Sequence, residues 1–289
     1  MKLALGTVQF GMAYGIANQS GQINRLEAGH ILSLARDTGI DTLDTAISYG
    51  DSEACLGSIG TQGLKVVTKL PALPTGIHDI GVWVHEQMLD SLHRLKVDSV
   101  YALLLHRSHQ LLGDAGRSVK MALDRLKAEG VVNKIGVSIY APQELDAVTQ
   151  ACAIDLVQAP CNLVDRRLVS SGWLQRLSEA GVEVHARSAF LQGLLLLPRT
   201  AIPTRFECWA SLWDAWHDGL ARHGLTATAA CLHYPLSLPQ IDRVVVGVDS
   251  AAQLGELIGI ARSPAPPLDW TFMVSEDESL INPARWNTQ

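Results

Sequence analysis

Asp44, Tyr49, Lys69 and His106 bring a carboxylate, a phenol, an ammonium and an imidazole into one stretch of this chain. Asp44, Lys69 and His106 fall at or near the C-terminal ends of apolar, strand-like runs. The runs are Thr42-Leu-Asp-Thr-Ala46, Leu64-Lys-Val-Val-Thr-Lys-Leu70 and Ser99-Val-Tyr-Ala-Leu-Leu-Leu-His106, with Tyr49 a few residues after the first. Arriving together, these groups compose a proton-transfer site. A lysine at a buried strand end needs a counter-charge, and Asp44 is available. An ammonium beside Tyr49 is expected to favour the phenolate and bring its pKa down from about 10 toward the working range. Tyr49 would then protonate an alkoxide as it forms, and such a general acid contributes about 10² to 10⁴ in rate. His106, neutral in its apolar run, would orient a carbonyl oxygen by donating a hydrogen bond.

The elements that must position these groups alternate short β-type runs with amphipathic helical stretches. Strands are expected at Leu3–Val8, Thr42–Ala46, Leu64–Leu70, Ser99–His106, Lys134–Ile139, Leu156–Asn162, Val182–Phe190 and Arg243–Val248. Helices are expected at Arg25–Thr38, Ser52–Ile59, Gly81–Leu95, Gly116–Glu129, Pro142–Ala151, Leu168–Ala180 and Ala251–Ala261. Several helices end at a glycine close before the next strand, as at Gly39, Gly130 and Gly181, which is the C-cap signature. Continuous apolar strands belong to parallel sheets covered on both faces. Eight βα units imply a (β/α)8 TIM barrel of eight parallel strands, read as one domain over residues 1–289. The alternative, a doubly wound sheet, usually opens on a G-x-G-x-x-G loop, which Gly6-Thr-Val-Gln-Phe-Gly11 does not supply. The connection between the seventh and eighth strands is long enough for extra helices at Phe206–His223 and Leu225–Tyr234. Trp209, Trp213 and Trp216 make a stripe there, which reads either as core or as one pocket-lining tryptophan, Trp213.

Bulk composition narrows the function classes. The chain has 289 residues, 47% of them hydrophobic, and a formal net charge of -6. That leaves no basic footprint for nucleic acid, and no apolar stretch approaches the roughly 20 residues of a membrane span. The five cysteines are dispersed without a disulfide framework or zinc spacing, and the N-terminal stretch turns polar too soon for a signal peptide. The expected compartment is the cytoplasm. The histidines show no metal-ligand grouping, so no metal site is expected.

The spacing Asp44-x4-Tyr49, then Val-Thr-Lys69, then Leu-Leu-Leu-His106 resembles the aldo-keto reductases. The likeness runs along nearly the whole chain. Leu5-Gly-Thr7-Val-Gln-Phe-Gly11 is similar to the family's first strand. Gly136-Val-Ser138, Val157-Gln158-Ala-Pro-Cys-Asn162 and Ser188-Ala-Phe-Leu-Gln-Gly193 are similar to its fifth, sixth and seventh. Val245-Val-Gly247-Val-Asp-Ser-Ala-Ala-Gln253-Leu-Gly-Glu256 is similar to its adenosine-phosphate loop and the helix that follows. The resemblance implies reduction of aldehydes or ketones, sugar-like ones included, by NADPH or NADH, with Tyr49 supplying the proton. It places Ser138 and Gln158 at the carboxamide, and Ser188, Phe190, Gln192 and Gly193 at the pyrophosphate. Thr7, Gly247, Val248, Asp249, Gln253 and Glu256 complete the implied cofactor set.

Two departures from the family pattern stand out. Ile139 follows Ser138 where many members have asparagine. Arg187 falls where many members stack a tyrosine on the nicotinamide, and its charge would weaken binding of the oxidised cofactor. Near Gly247 the basic residues that usually grip a 2′-phosphate are missing. Asp249 there would accept from a ribose hydroxyl and repel a phosphate. Family habit favours NADPH; the local charge favours NADH or use of both. The partner is then a small carbonyl substrate, with Phe10, Tyr14, Tyr140 and Trp213 as the expected pocket mouth. Two other readings stay open: a Schiff-base aldolase through Lys69, and a nucleotide-binding regulatory barrel with weak catalysis.

Overall fold

The computed structural model describes residues 1–18, 20–266 and 270–286. Eight strands run in sequence order around a closed barrel: β1 (Leu3–Gly6), β2 (Thr42–Asp44), β3 (Lys65–Leu70), β4 (Val100–Leu105), β5 (Val132–Ser138), β6 (Leu156–Pro160), β7 (Glu183–Arg187) and β8 (Arg243–Gly247). All neighbours are parallel. Pairing of β1 with β8, from Leu3 opposite Val244 to Gly6 opposite Gly247, closes the ring and excludes an open doubly wound sheet. The strands match their expected positions, mostly trimmed by a residue or two at the ends. β7 is trimmed most: it stops at Arg187 because Ser188 takes a left-handed φ of 59° and turns the chain out of the ladder.

Side chains alternate across a strand, so residues two apart share a face. Val67, Ala102, Leu104 and Leu156 form a small cluster of their own in the barrel interior. Counting two further along each strand reaches Lys69, His106 and Gln158, and the register sets Lys69 opposite Leu104 and Ser138 opposite Gln158. Lys69, His106 and Gln158 are thus the outermost layer of the barrel filling, at the C-terminal end where such barrels carry their sites. Gly136 lets this packing close: a Cβ on it would meet the Leu156 carbonyl at 2.0 Å.

The opposite strand faces pack on the surrounding helices in one large apolar cluster that includes Leu43, Val66, Leu103 and Val137. Arg25–Thr38 and Ser52–Ile59 form over the expected residues. Gly39 caps the first of these at φ 86°, a conformation open to glycine. The expected helix Leu168–Ala180 is broken into Arg167–Ser170 and Trp173–Glu179, because Gly172 sits between them at φ 76°. The segment Val8–Gly11 is a single turn of helix rather than a continuation of β1.

The long connection after β7 carries the helices Ala210–His223 and Ala227–Ser237. Its Leu191, Leu194, Leu195, Phe206, Trp213 and Trp216 join Trp270 and Trp286 from the segment after β8 in a second hydrophobic cluster. Trp213 is fully buried there and donates its indole N–H to the Phe206 carbonyl, so the stripe is core and Trp213 is not a pocket residue. Trp216 does the same to Leu195.

Candidate active site

A buried ion pair sits at the base of the site. Lys69 Nζ lies 2.7 Å from Asp44 Oδ1, with the lysine fully buried and Asp44 nearly so. Lys69 also donates to the Thr45 carbonyl at 2.8 Å, and Gln158 Nε2 donates to the same Asp44 oxygen at 2.6 Å. Burial pulls the Lys69 pKa below that of an ordinary lysine, and Asp44 opposes the shift. The segment that carries Asp44 is held in turn. Thr7 Oγ1 donates to the Asp44 carbonyl and hydrogen-bonds Ser52 Oγ, which also reaches Thr45.

Tyr49 stands over this pair on a turn pinned by two glycines. A Cβ on Gly11 would lie 1.8 Å from the Tyr49 carbonyl, and one on Gly50, at φ 52°, would lie 2.4 Å from the Gly11 carbonyl. Lys69 Nζ is 5.1 Å from the centre of the Tyr49 ring. The phenol pKa is nevertheless pushed up, first by burial and then by the negative charge of Asp44, with Arg187 opposing. The expected lowering is therefore reversed: desolvation and the carboxylate outweigh the cations, and the phenol keeps its proton. His106 packs edge-on to Tyr49, with ring centres 5.9 Å apart, and Ser48 Oγ lies 3.2 Å from its Nδ1. Burial, then the positive charges of Lys69 and Arg187, bring the imidazole down to about 4, so it is neutral at pH 7.

Tyr49 and His106 open into a cavity of about 530 Å³ that runs from Tyr140 to Glu256. Thr7, Ser138, Gln158, Arg187, Ser188, Phe190, Gln192, Gly193, Gly247, Val248, Asp249, Gln253 and Glu256 all line it. The lining fits an extended ligand with hydrogen-bonding groups. Ser188, Leu191, Gln192 and Gly193 all take positive φ, which curls the backbone along one wall. Gly247 leaves open a space where a Cβ would strike the Gln9 side-chain amide at 2.7 Å, and the buried Gln9 Oε1 has no partner. At the far end the helix Ala251–Arg262 begins, capped by Ser250, beside Asp249 and Gln253. Helix N-termini suit phosphate or ribose groups.

Residues 2–272 match the Aldo/keto reductase family. The chain belongs to that family. Its members are NAD(P)-dependent oxidoreductases. One relative, the D-threo-aldose 1-dehydrogenase of a Pseudomonas species, is 27% identical over 90% of this chain and 91% of its own. The 6-dehydroglucose reductase of Novosphingobium aromaticivorans is 26% identical over 80% of this chain and 79% of its own. A holo-form aldo-keto reductase structure from Bacillus halodurans shares the fold, with a TM-score of 0.74 and 21% identity over 94% of this chain and 89% of its own.

Within this aldo/keto reductase the expected residues sort clearly. Asp44, Tyr49 and His106 line the cavity, while Lys69 lies behind Asp44 and out of it. Tyr14 and Tyr140 line it too. Phe10 does not: the chain turns helical after Thr7, and Phe10 packs into the main core at 1% exposure. Trp213 lies in the second cluster instead. Thr7 reaches the wall, but its hydroxyl is committed to Asp44 and Ser52. Arg187 leans over the Tyr140 ring at 4.7 Å and donates to the Ile139 carbonyl at 2.8 Å.

Gln9, Ala17, Asn18 and Thr228 also line the cavity and had no signal in the periodicity. Asn18 donates to Asp249 at 2.9 Å and so bridges the loop after β1 to the loop after β8. Among the described residues no His, Cys, Asp and Glu side chains gather as a metal site, and no helix is long and apolar enough to cross a membrane.

Proposed function

We propose that this aldo/keto reductase reduces aldehydes or ketones, sugar-like ones included, with Tyr49 as proton donor and NADH as the preferred nucleotide. The observation that carries the reading is a protonated phenol held between a buried Lys69–Asp44 pair and a neutral imidazole, on the wall of a cavity of about 530 Å³. Ser138 and Gln158 would hold the carboxamide, the Ser188–Gly193 turn the pyrophosphate, and Gly247–Glu256 the adenosine. When bound, the nucleotide supplies hydride to the carbonyl carbon.

Tyr49 then gives its proton to the oxygen as negative charge develops there. A raised phenol pKa is no obstacle, because an alkoxide is a stronger base than a phenolate and draws the proton across. Lys69, held by Asp44, places positive charge behind the phenolate that results. Ser48 Oγ lies 3.2 Å from His106 Nδ1, and the tautomer in which Nδ1 accepts from it would hold the ring proton on Nε2 for the substrate oxygen. The Schiff-base alternative is poorly supported, since Lys69 Nζ is fully buried, doubly hydrogen-bonded and outside the cavity.

Charge supports the choice of nucleotide. The adenosine end is lined by Asp249 and Glu256, and Arg187, at the other end, supplies the only lining guanidinium or ammonium among the described residues. A 2′-phosphate would meet carboxylates there, whereas a ribose hydroxyl could donate to one. The relatives named for aldose and dehydroglucose chemistry support sugar-like substrates. Oxidation of NADH and NADPH is to be followed with a panel of aldehydes, ketones and aldoses. Turnover with NADH at higher kcat/KM is expected; binding of nucleotide without turnover of any carbonyl would leave only the regulatory barrel.

A further inference from the structure

The inner end of the cavity holds one positive charge that the protein does not balance. Arg187 donates to the Ile139 carbonyl at 2.8 Å and to Ser188 Oγ at 3.2 Å, both neutral acceptors. Its Nε is buried with no partner. No carboxylate among the described residues makes an ion pair with it. The nearby acids are already engaged. Asp44 holds Lys69 and Gln158. Glu144 accepts from the Tyr140 and Ala141 amides and from Ser108. Asp165 is paired with Arg167. A second guanidinium, Arg107, lies 5.6 Å from the centre of the Tyr140 ring that Arg187 also covers.

This charge faces the reaction site. The positive field of Arg187 acts on Tyr14, Tyr49, Lys69 and His106 alike. A half-buried guanidinium among aromatic rings is incompletely satisfied until an oxyanion reaches it, and its planar fork matches a carboxylate. We infer that this enzyme is built for carbonyl substrates that carry a carboxylate, with Arg187 as the group that binds it beside Tyr140. The inference rests on the proposed carbonyl reduction at the same site. The other anion that could pair with Arg187 is the cofactor pyrophosphate. Arg187 already reaches Ser188 Oγ at 3.2 Å, where the turn assigned to the pyrophosphate begins, so the test must separate substrate carboxylate from nucleotide.

The test uses a matched pair, 4-carboxybenzaldehyde and its neutral amide 4-formylbenzamide, with NADH or NADPH. Wild type is expected to favour the acid in kcat/KM by about ten- to a hundredfold, the usual worth of a charge-assisted hydrogen bond. Arg187→Met should erase that ratio and Arg187→Lys should restore part of it, with thermal melting to confirm folding. Binding of the unreactive alcohol 4-(hydroxymethyl)benzoate, by calorimetry on wild type and both variants, reads the anion site without chemistry. Equal use of acid and amide by wild type overturns the inference. So does an acid preference that survives in Arg187→Met, or weaker nucleotide binding in that variant with the ratio unchanged. Failure to reduce any carbonyl, with benzoate binding still dependent on Arg187, would sink the reductase reading alone and leave the anion site standing.

Discussion

Gln158 Nε2 lies 2.6 Å from Asp44 Oδ1, joining β6 to β2 across the mouth of the barrel. The same oxygen accepts from Lys69, so one carboxylate atom satisfies two donors from different strands. Asp44 is thereby the node on which the buried ammonium depends.

Replacing Asp44 by Asn should therefore destabilise the protein by about 3 to 5 kcal/mol, because the lysine is left charged and unpaired in the interior. Urea denaturation measures it. The double variant Asp44→Asn, Lys69→Met should cost less than the two single changes added together. Additive costs would show that the pair does not act as a unit.

Tyr49→Phe should lower kcat by about 10² to 10⁴ and leave nucleotide affinity unchanged. Steady-state rates and nucleotide fluorescence titration read the two separately. A variant that still turns over at the wild-type rate removes Tyr49 from its role.

His106 gives a pH dependence of definite sign. Burial, Lys69 and Arg187 hold its folded pKa down to about 4, against about 6.5 for a free imidazole. The unfolded chain thus binds the extra proton between those values, so this group's contribution to stability falls as pH drops from 6.5 toward 4. NMR titration of the ring should show no protonation above pH 5. A midpoint near 6.5 would contradict the neutral imidazole.

Glu53 lies outside the site and holds the scaffold beneath it. At 1% exposure it accepts from Thr68 at 2.6 Å and Ser91 at 2.7 Å, and it pairs with Arg94 at 2.8 Å. Glu53→Ala should cost about 3 kcal/mol or more, since three donors lose one shared acceptor. Thermal melting checks it, and a loss near zero would mean that water replaces the carboxylate freely.

Much of this was legible in the residues. Strand positions were visible because barrel strands buried on both faces read as unbroken apolar runs, and glycines marked helix ends such as Gly39. The break at Gly172 is hidden in the sequence because the helical pattern of apolar residues continues through it. The position of Phe10 is hidden for a local reason: the turn of helix at Val8–Gly11 swings it into the core. For Trp213 a stripe at helical spacing could not say which cluster it would enter. Asn18 comes from a loop and Gln9 from a single helical turn, too short for either to be announced by periodicity. The direction of the Tyr49 shift was out of reach because burial and Asp44 outweigh the nearby cations, and the degree of burial exists only in the folded molecule.

The second cluster has a consequence for how this enzyme can change. Along Phe190–Leu196, Leu191, Leu194 and Leu195 are fastened to the tryptophans, while Gln192, Gly193 and Leu196 face the cavity. One wall of the cavity therefore hangs from a foundation separate from the one that supports Tyr49. Drift in the tryptophan-rich insert can resize that cavity while Asp44, Tyr49 and Lys69 stay in register. New preferences would then arise by remodelling an annex, with the catalytic apparatus inherited intact.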